Sequence, residues 1–198
     1  MKNLYKILFV AAISLMAFQS KASHYLGGEI TWECIDSGIN KNKYKFTCVI
    51  YKECGIGAAN YVSNTLHTPN GTVSMTQISV EEVSPECLGS TSVKCGVWAS
   101  GKGAVQKFTL QATVTLTGVP PATGWQFYWS DSARPTTSLV NTNSGGYYLR
   151  AIMYPYTPVG GTAPNNANPC YDNSPYFSEV GSLTICAGSP FTSNHLVS

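Results

Sequence analysis

At 198 residues, with a net charge of +2 and only 11% charged side chains, the chain lacks the basic stripe that nucleic-acid binding demands. Ser, Thr, Asn, Gly and Tyr stand where charges usually stand, a composition that suits strands with one wet face. The length holds one large domain or two small ones, with enough apolar sequence for a real core.

The first two dozen residues carry an export pattern. Lys2 and Lys6 precede an apolar run from Ile7 to Phe18, and small residues follow at Ser20 and Ala22. That order is a signal peptide, expected to be cleaved after Ala22. The run is roughly twelve residues, too short for a bilayer core of about 30 Å. No later stretch has the length and apolarity of a membrane span. Residues 1–22 are therefore read as the signal peptide, 23–190 as one module, and 191–198 as the start of a linker to a further domain.

Beyond the signal peptide the pattern has period two. Glu29–Cys34 is a short strand candidate. Tyr44, Phe46, Cys48 and Ile50 alternate with Lys45, Thr47, Val49 and Tyr51. Thr72–Val83 reads as a strand whose apolar phase shifts near Thr76-Gln77, which predicts a bulge. Phe108, Leu110, Ala112, Val114 and Leu116 alternate with Thr109, Gln111, Thr113 and Thr115, the clearest case of one buried and one solvated face. Trp125, Phe127 and Trp129 alternate with Gln126 and Tyr128. Tyr147, Leu149, Ala151 and Met153 alternate with Tyr148, Arg150, Ile152 and Tyr154. Pro155–Pro175, dense in Pro, Gly, Asn and Ala, reads as a long loop, and Gly181–Cys186 as a last strand. Asp36-Ser37-Gly38, Asn70-Gly71, Pro120–Gly124 and Ser144–Gly146 supply the turns, Asn70-Gly71 being a strong hairpin dipeptide. Many short antiparallel strands with such turns predict an all-β fold, an antiparallel β-sandwich of immunoglobulin-like or jelly-roll-like type with long loops and disulfides.

An exported chain uses cysteines as disulfides. The seven are Cys34, Cys48, Cys54, Cys87, Cys95, Cys170 and Cys186. Proximity in sequence favours Cys87–Cys95 and Cys170–Cys186, while spacing alone cannot choose among the connectivities. Cys48 sits among apolar residues of one strand face. No CxxC pair or suitably spaced His points to zinc. His24, His67 and His195 form no recognisable triad, and His67 reads as lying in a Thr/Pro/Asn loop. No nucleophile elbow, HExxH or phosphate loop occurs, so no catalytic residue is assigned. Asp36–Asn40 and Asp172-Asn173-Ser174 offer oxygen ligands for Ca2+, but both are first read as Asx turns, and no cofactor is assigned. Glu81-Glu82 reads as a solvated strand end. Aromatic residues crowd the C-terminal half. The Trp125/Phe127/Trp129 face reads as core, and the opposite face with Tyr128, Tyr148 and Tyr154 as an exposed ligand-binding patch.

One set of segments carries a family resemblance. Ser23-His24-Tyr25-Leu26-Gly27-Gly28-Glu29-Ile30-Thr31-Trp32, Tyr51-Lys52-Glu53-Cys54 and Ser84-Pro85-Glu86-Cys87 are followed by Gly124-Trp125-Gln126-Phe127, Leu149–Tyr156, Pro169–Pro175 and Ile185–His195. In this order they resemble the N-terminal module of gliding-motility-associated, adhesin-like multidomain surface proteins of Bacteroidetes, clients of type IX secretion. The resemblance implies a β-rich module followed by adjacent β-domains, and a place on the cell surface. Members of that group carry an adjacent cysteine pair where this chain reads Ser130–Arg134, and an apolar residue where it has Cys48. Cys48 is therefore the candidate free thiol, and Cys34, Cys54, Cys87, Cys95, Cys170 and Cys186 are the disulfide candidates. The functional expectation is a secreted, non-catalytic adhesion module that contacts polysaccharide, a surface protein or neighbouring domains. A free-standing carbohydrate-binding module is the alternative, and an unrecognised hydrolase the third.

Overall fold

The computed structural model describes residues 25–35, 42–54, 62–85, 93–95, 103–131, 146–155, 157, 160 and 173–177. Eight strands arise in chain order: β1 (Tyr25–Ile35), β2 (Lys43–Glu53), β3 (Thr65–Thr68), β4 (Gly71–Ser74), β5 (Thr76–Glu82), β6 (Val105–Thr115), β7 (Trp125–Asp131) and β8 (Tyr147–Met153). They form two antiparallel four-stranded sheets, ordered β1-β2-β6-β5 and β4-β3-β7-β8. No helix occurs among the described residues, and none there is long and apolar enough to cross a membrane. The expected all-β sandwich is what the chain forms.

Side-chain parity explains why the sheets face one another. On β2, Tyr44, Phe46, Cys48 and Ile50 are all fully buried, and across the β2–β6 register they oppose Val114, Ala112, Leu110 and Phe108. On the other sheet Leu66, Phe127, Trp129 and Met153 point into the same interior. The aromatic centre is tight: Phe46 and Phe127 have ring centroids 4.5 Å apart across the two layers, and Trp32 lies 6.2 Å from each. Such pairs add about 0.5–1.5 kcal/mol each beyond area burial.

One glycine sets how closely the layers approach. A Cβ on Gly28 would stand 2.7 Å from Leu149 Cδ1 of the opposite sheet, and would also press on the Val49 carbonyl beneath it. The Leu149 methyl can turn aside, but the Val49 carbonyl is backbone of the paired strand and cannot shift without disturbing the β1–β2 ladder. Gly28→Val is expected to cost about 3 kcal/mol in a urea titration, as overpacking of a dense core does; an unchanged midpoint would mean that the sheets separate more easily than this contact allows.

The phase shift near Thr76-Gln77 is two features. Thr72–Val83 splits into β4 and β5 with Met75 buried between them, and a register shift follows between Gln77 and Ser79. Ile78 and Val80 are exposed on β5, an edge strand, and the irregularity there disfavours pairing with another chain. Asn70-Gly71 makes the β3–β4 hairpin as expected, with Gly71 at φ 113°. His67 is not in a loop: it lies within β3, opposite Tyr128.

The cysteine pairing departs from sequence proximity. Cys95 bonds Cys54, 41 residues away, and not Cys87. The end of β2 runs beside the strand that becomes β6, where Cys54 N–H donates to Ala104 O at 3.0 Å. Sheet adjacency therefore brings residues 54 and 95 within 5.1 Å at Cα. Cys34 is also disulfide-bonded, to a partner outside the described residues. Cys87, Cys170 and Cys186 lie outside them too, as do residues 1–24, Asp36–Asn40 and Gly181–Cys186.

Cys48 is free and fully buried. Burial, with a smaller contribution from Glu29, pushes its thiol from 9.0 up to about 12. The native thiol therefore stays protonated where an unfolded one ionises. Its contribution to stability is lost as pH rises between those two values. In native buffer a thiol reagent should leave Cys48 unlabelled until denaturant is added; rapid labelling without denaturant would contradict its burial.

Candidate functional site

The outer face of the second sheet gathers the expected aromatic residues. On β7 the even-numbered residues Gln126, Tyr128 and Ser130 alternate away from the core, because Phe127 and Trp129 fill it. On β8 Tyr148 and Arg150 do the same, and Tyr154 follows just past the strand end. The register sets Tyr128 opposite Arg150 on one side and His67 on the other.

The rings form a ladder. His67 and Tyr128 stack with centroids 4.1 Å apart and planes 6° from parallel. Tyr128 and Tyr148 stack at 5.2 Å and 26°. Since β7 lies between β3 and β8, Tyr128 has a ring on each side and is only partly exposed. Tyr148 ends the ladder with a free outer face and is 54% exposed. Tyr154 is 57% exposed. It sits beside the turn that leads into β7, where Gly124 has φ 77° and a Cβ would stand 3.3 Å from Tyr154 Cδ1. Glycine is needed there twice, for the backbone angle and for the ring above it. Of the three tyrosines expected to bind, Tyr148 and Tyr154 offer contact surface, and Tyr128 buttresses Tyr148.

His67 and Arg150 join this face without having been assigned to it. The Asn70-Gly71 turn was the available signal for His67. A hairpin needs a strand on each side, and extending the pairing backward from Gly71 puts Thr65–Thr68 in the sheet.

Inside the sandwich, next to the Tyr148 end of the ladder, lies a buried polar group that parity also implies. Lys52 continues the inward series Tyr44, Phe46, Cys48, Ile50 and is 1% exposed. Its Nζ lies 5.7 Å from the Tyr25 ring centroid and 5.8 Å from that of Phe108. Tyr25 Oη donates to Asp131 Oδ2 at 2.6 Å, and Ser63 N–H donates to the same oxygen at 3.2 Å. Trp129 Nε1 donates to Ser63 O at 2.7 Å. Burial lowers the Lys52 pKa from 10.5, and the charge of Asp131 pulls it back up. This network ties β1 and β2 to β7, a structural role.

Among the described residues no group of three His, Cys, Asp or Glu side chains is placed to hold a metal ion. Asn173 and Ser174, part of one loop weighed for Ca2+, are used otherwise: Asn173 Oδ1 accepts from Cys34 N–H at 2.8 Å, and Ser174 bonds the Trp32 backbone. Glu82 Oε1 accepts from Ser84 Oγ and Cys95 N–H, so this strand end is an anchor as well as a solvated carboxylate.

Comparison with family models, curated proteins and solved structures returned no match.

Proposed function

We propose that this chain is an exported, non-catalytic adhesion module of the cell surface, and that the outer face of its β4-β3-β7-β8 sheet lies against an extended polysaccharide. The observation that carries the reading is the exposed pair Tyr148, on edge strand β8, and Tyr154, just past its end. Six positions along the chain set them at most about 20 Å apart, a spacing that suits several consecutive sugar rings of an extended polymer. Each tyrosine presents an apolar ring for the CH face of a sugar and a hydroxyl for its rim. Arg150 and Gln126, both exposed, stand beside the rings as hydrogen-bond partners. The buttressing stack of Tyr128 and His67 holds Tyr148 upright before any ligand arrives, which lowers the ordering cost of binding.

The export pattern and the resemblance to adhesin-like surface modules support the cellular setting. The test is retention of the full chain on insoluble polysaccharides, with no release of soluble sugar. Tyr148→Ala with Tyr154→Ala is expected to reduce retention at least about tenfold, equivalent to about 1.4 kcal/mol or more. Full retention by that variant on every polymer the native chain binds would end the proposal.

A further inference from the structure

The other outer face of the sandwich holds a different kind of recess. A groove of about 350 Å³ runs over the β1-β2-β6 surface, lined by Thr31, Glu33, Lys45, Thr47, Gln111 and Tyr176 among others. One wall is the segment 173–176, fastened along β1. Ser174 N–H donates to Trp32 O at 2.9 Å, Trp32 N–H donates to Ser174 Oγ at 2.8 Å, and Cys34 N–H donates to Asn173 Oδ1 at 2.8 Å. The floor is a set of cross-strand pairs. Glu33 and Lys45 are register partners joined at 2.6 Å. Thr31 Oγ1 donates to Thr47 O at 3.3 Å, and Gln111 Nε2 donates to Thr47 Oγ1 at 3.2 Å. Tyr176 stands at the rim, 53% exposed.

The chemistry of this groove selects a ligand class. Its charges are one acid and one base already paired, so neither an anion nor a cation gains a counter-charge by entering. Its other polar groups are hydroxyls and amides, which donate and accept alike. Its exposed aromatic ring is single and at the edge. A neutral ligand dense in hydroxyls, with one apolar face, matches all three properties. The volume lies at the small end for ligand clefts and holds about one or two sugar rings. We infer that this groove is a second saccharide site, for a short neutral oligosaccharide or a chain end. Sites on opposite faces of one sandwich would let a single module join two strands of polymer. This inference stands apart from the Tyr148 face, and its readout is a soluble ligand, so either can fail alone.

The experiment titrates the full chain with neutral gluco-, manno-, xylo- and galacto-oligosaccharides by calorimetry and by backbone amide shifts. Saturable binding is expected, with shifts centred on Thr31, Thr47 and Gln111. Gln111→Ala and Tyr176→Ala should each weaken it at least about tenfold. Tyr148→Ala should leave it unchanged. Unchanged melting temperatures establish that the variants fold, as surface positions predict. Absence of saturable binding across the panel overturns the inference. So does binding that survives both groove substitutions, or binding lost in Tyr148→Ala.

Discussion

Asp131→Ala is expected to lower the unfolding free energy by about 2–3 kcal/mol, below the range for a wholly buried charged network because the carboxylate is only part-buried. The carboxylate accepts from the Tyr25 hydroxyl and from Ser63 N–H, and its charge favours the protonated form of Lys52 in the interior. Alanine removes all three effects together and leaves Lys52 charged between two aromatic rings. Asp131→Asn separates them, since an amide oxygen still accepts both hydrogen bonds but carries no charge. The pH dependence then identifies the electrostatic part. Lys52 has a native pKa below 10.5, so between its native pKa and 10.5 the unfolded chain binds more protons than the folded one. Stability contributed through Lys52 therefore rises with pH across that window. The deficit of Asp131→Asn relative to the native chain should narrow between neutral pH and the upper end of that window, where burying a lysine no longer means burying a charge. Urea titrations of the two chains at both pH values measure this. A deficit that widens with pH would contradict the placement of Lys52 beside Asp131.

Loss of the Cys54–Cys95 bridge is expected to cost about 4 kcal/mol in the chain-entropy model, given the length of chain it closes. The bridge joins the end of β2 to the segment that precedes β6, where Val93, Ala104 and Cys54 form a small cluster of their own. That cluster is too small to hold the connection by apolar burial alone. Cys54→Ser with Cys95→Ser should shift the urea midpoint strongly, while leaving the Phe46–Phe127 core intact at low denaturant by near-ultraviolet dichroism. Non-reducing peptide mapping of the native chain should recover the 54–95 link. A midpoint unchanged in the double variant would mean that sheet pairing already fixes this end.

How much of this was legible in the sequence depended on strand length. β2, β6, β7 and β8 each run long enough for parity to repeat three or four times, and their buried faces came out as read. The same rule carried one period further on β2, from Ile50 to residue 52, would have placed Lys52 in the interior. A lysine is not expected there, and the apolar count ends at Ile50. β3 has four residues and one buried side chain, Leu66, so it offers no period to detect. The disulfide was illegible for another reason. The Cys54–Cys95 approach depends on β2 pairing with β6, a long-range register that spacing along the chain does not encode. The candidate ligand face was half legible. Alternation exposed Tyr148 and Tyr154, but the ladder that turns Tyr128 from a contact into a buttress needed the β3–β7 pairing. The groove beside Tyr176 was not legible at all, because it exists only where residues 173–176 come back onto β1.

If the proposed function holds, the Tyr148–Tyr154 strip is the surface that meets the polymer. Oxidative footprinting of the chain, free and adsorbed on an insoluble polysaccharide, tests it most directly, because exposed side chains are labelled where solvent reaches them. Tyr148 and Tyr154 should lose their labelling on adsorption, while Ile78 and Val80 on the β5 edge keep theirs. Protection of Ile78 and Val80 with Tyr148 and Tyr154 still labelled would contradict it and place the contact on the opposite sheet.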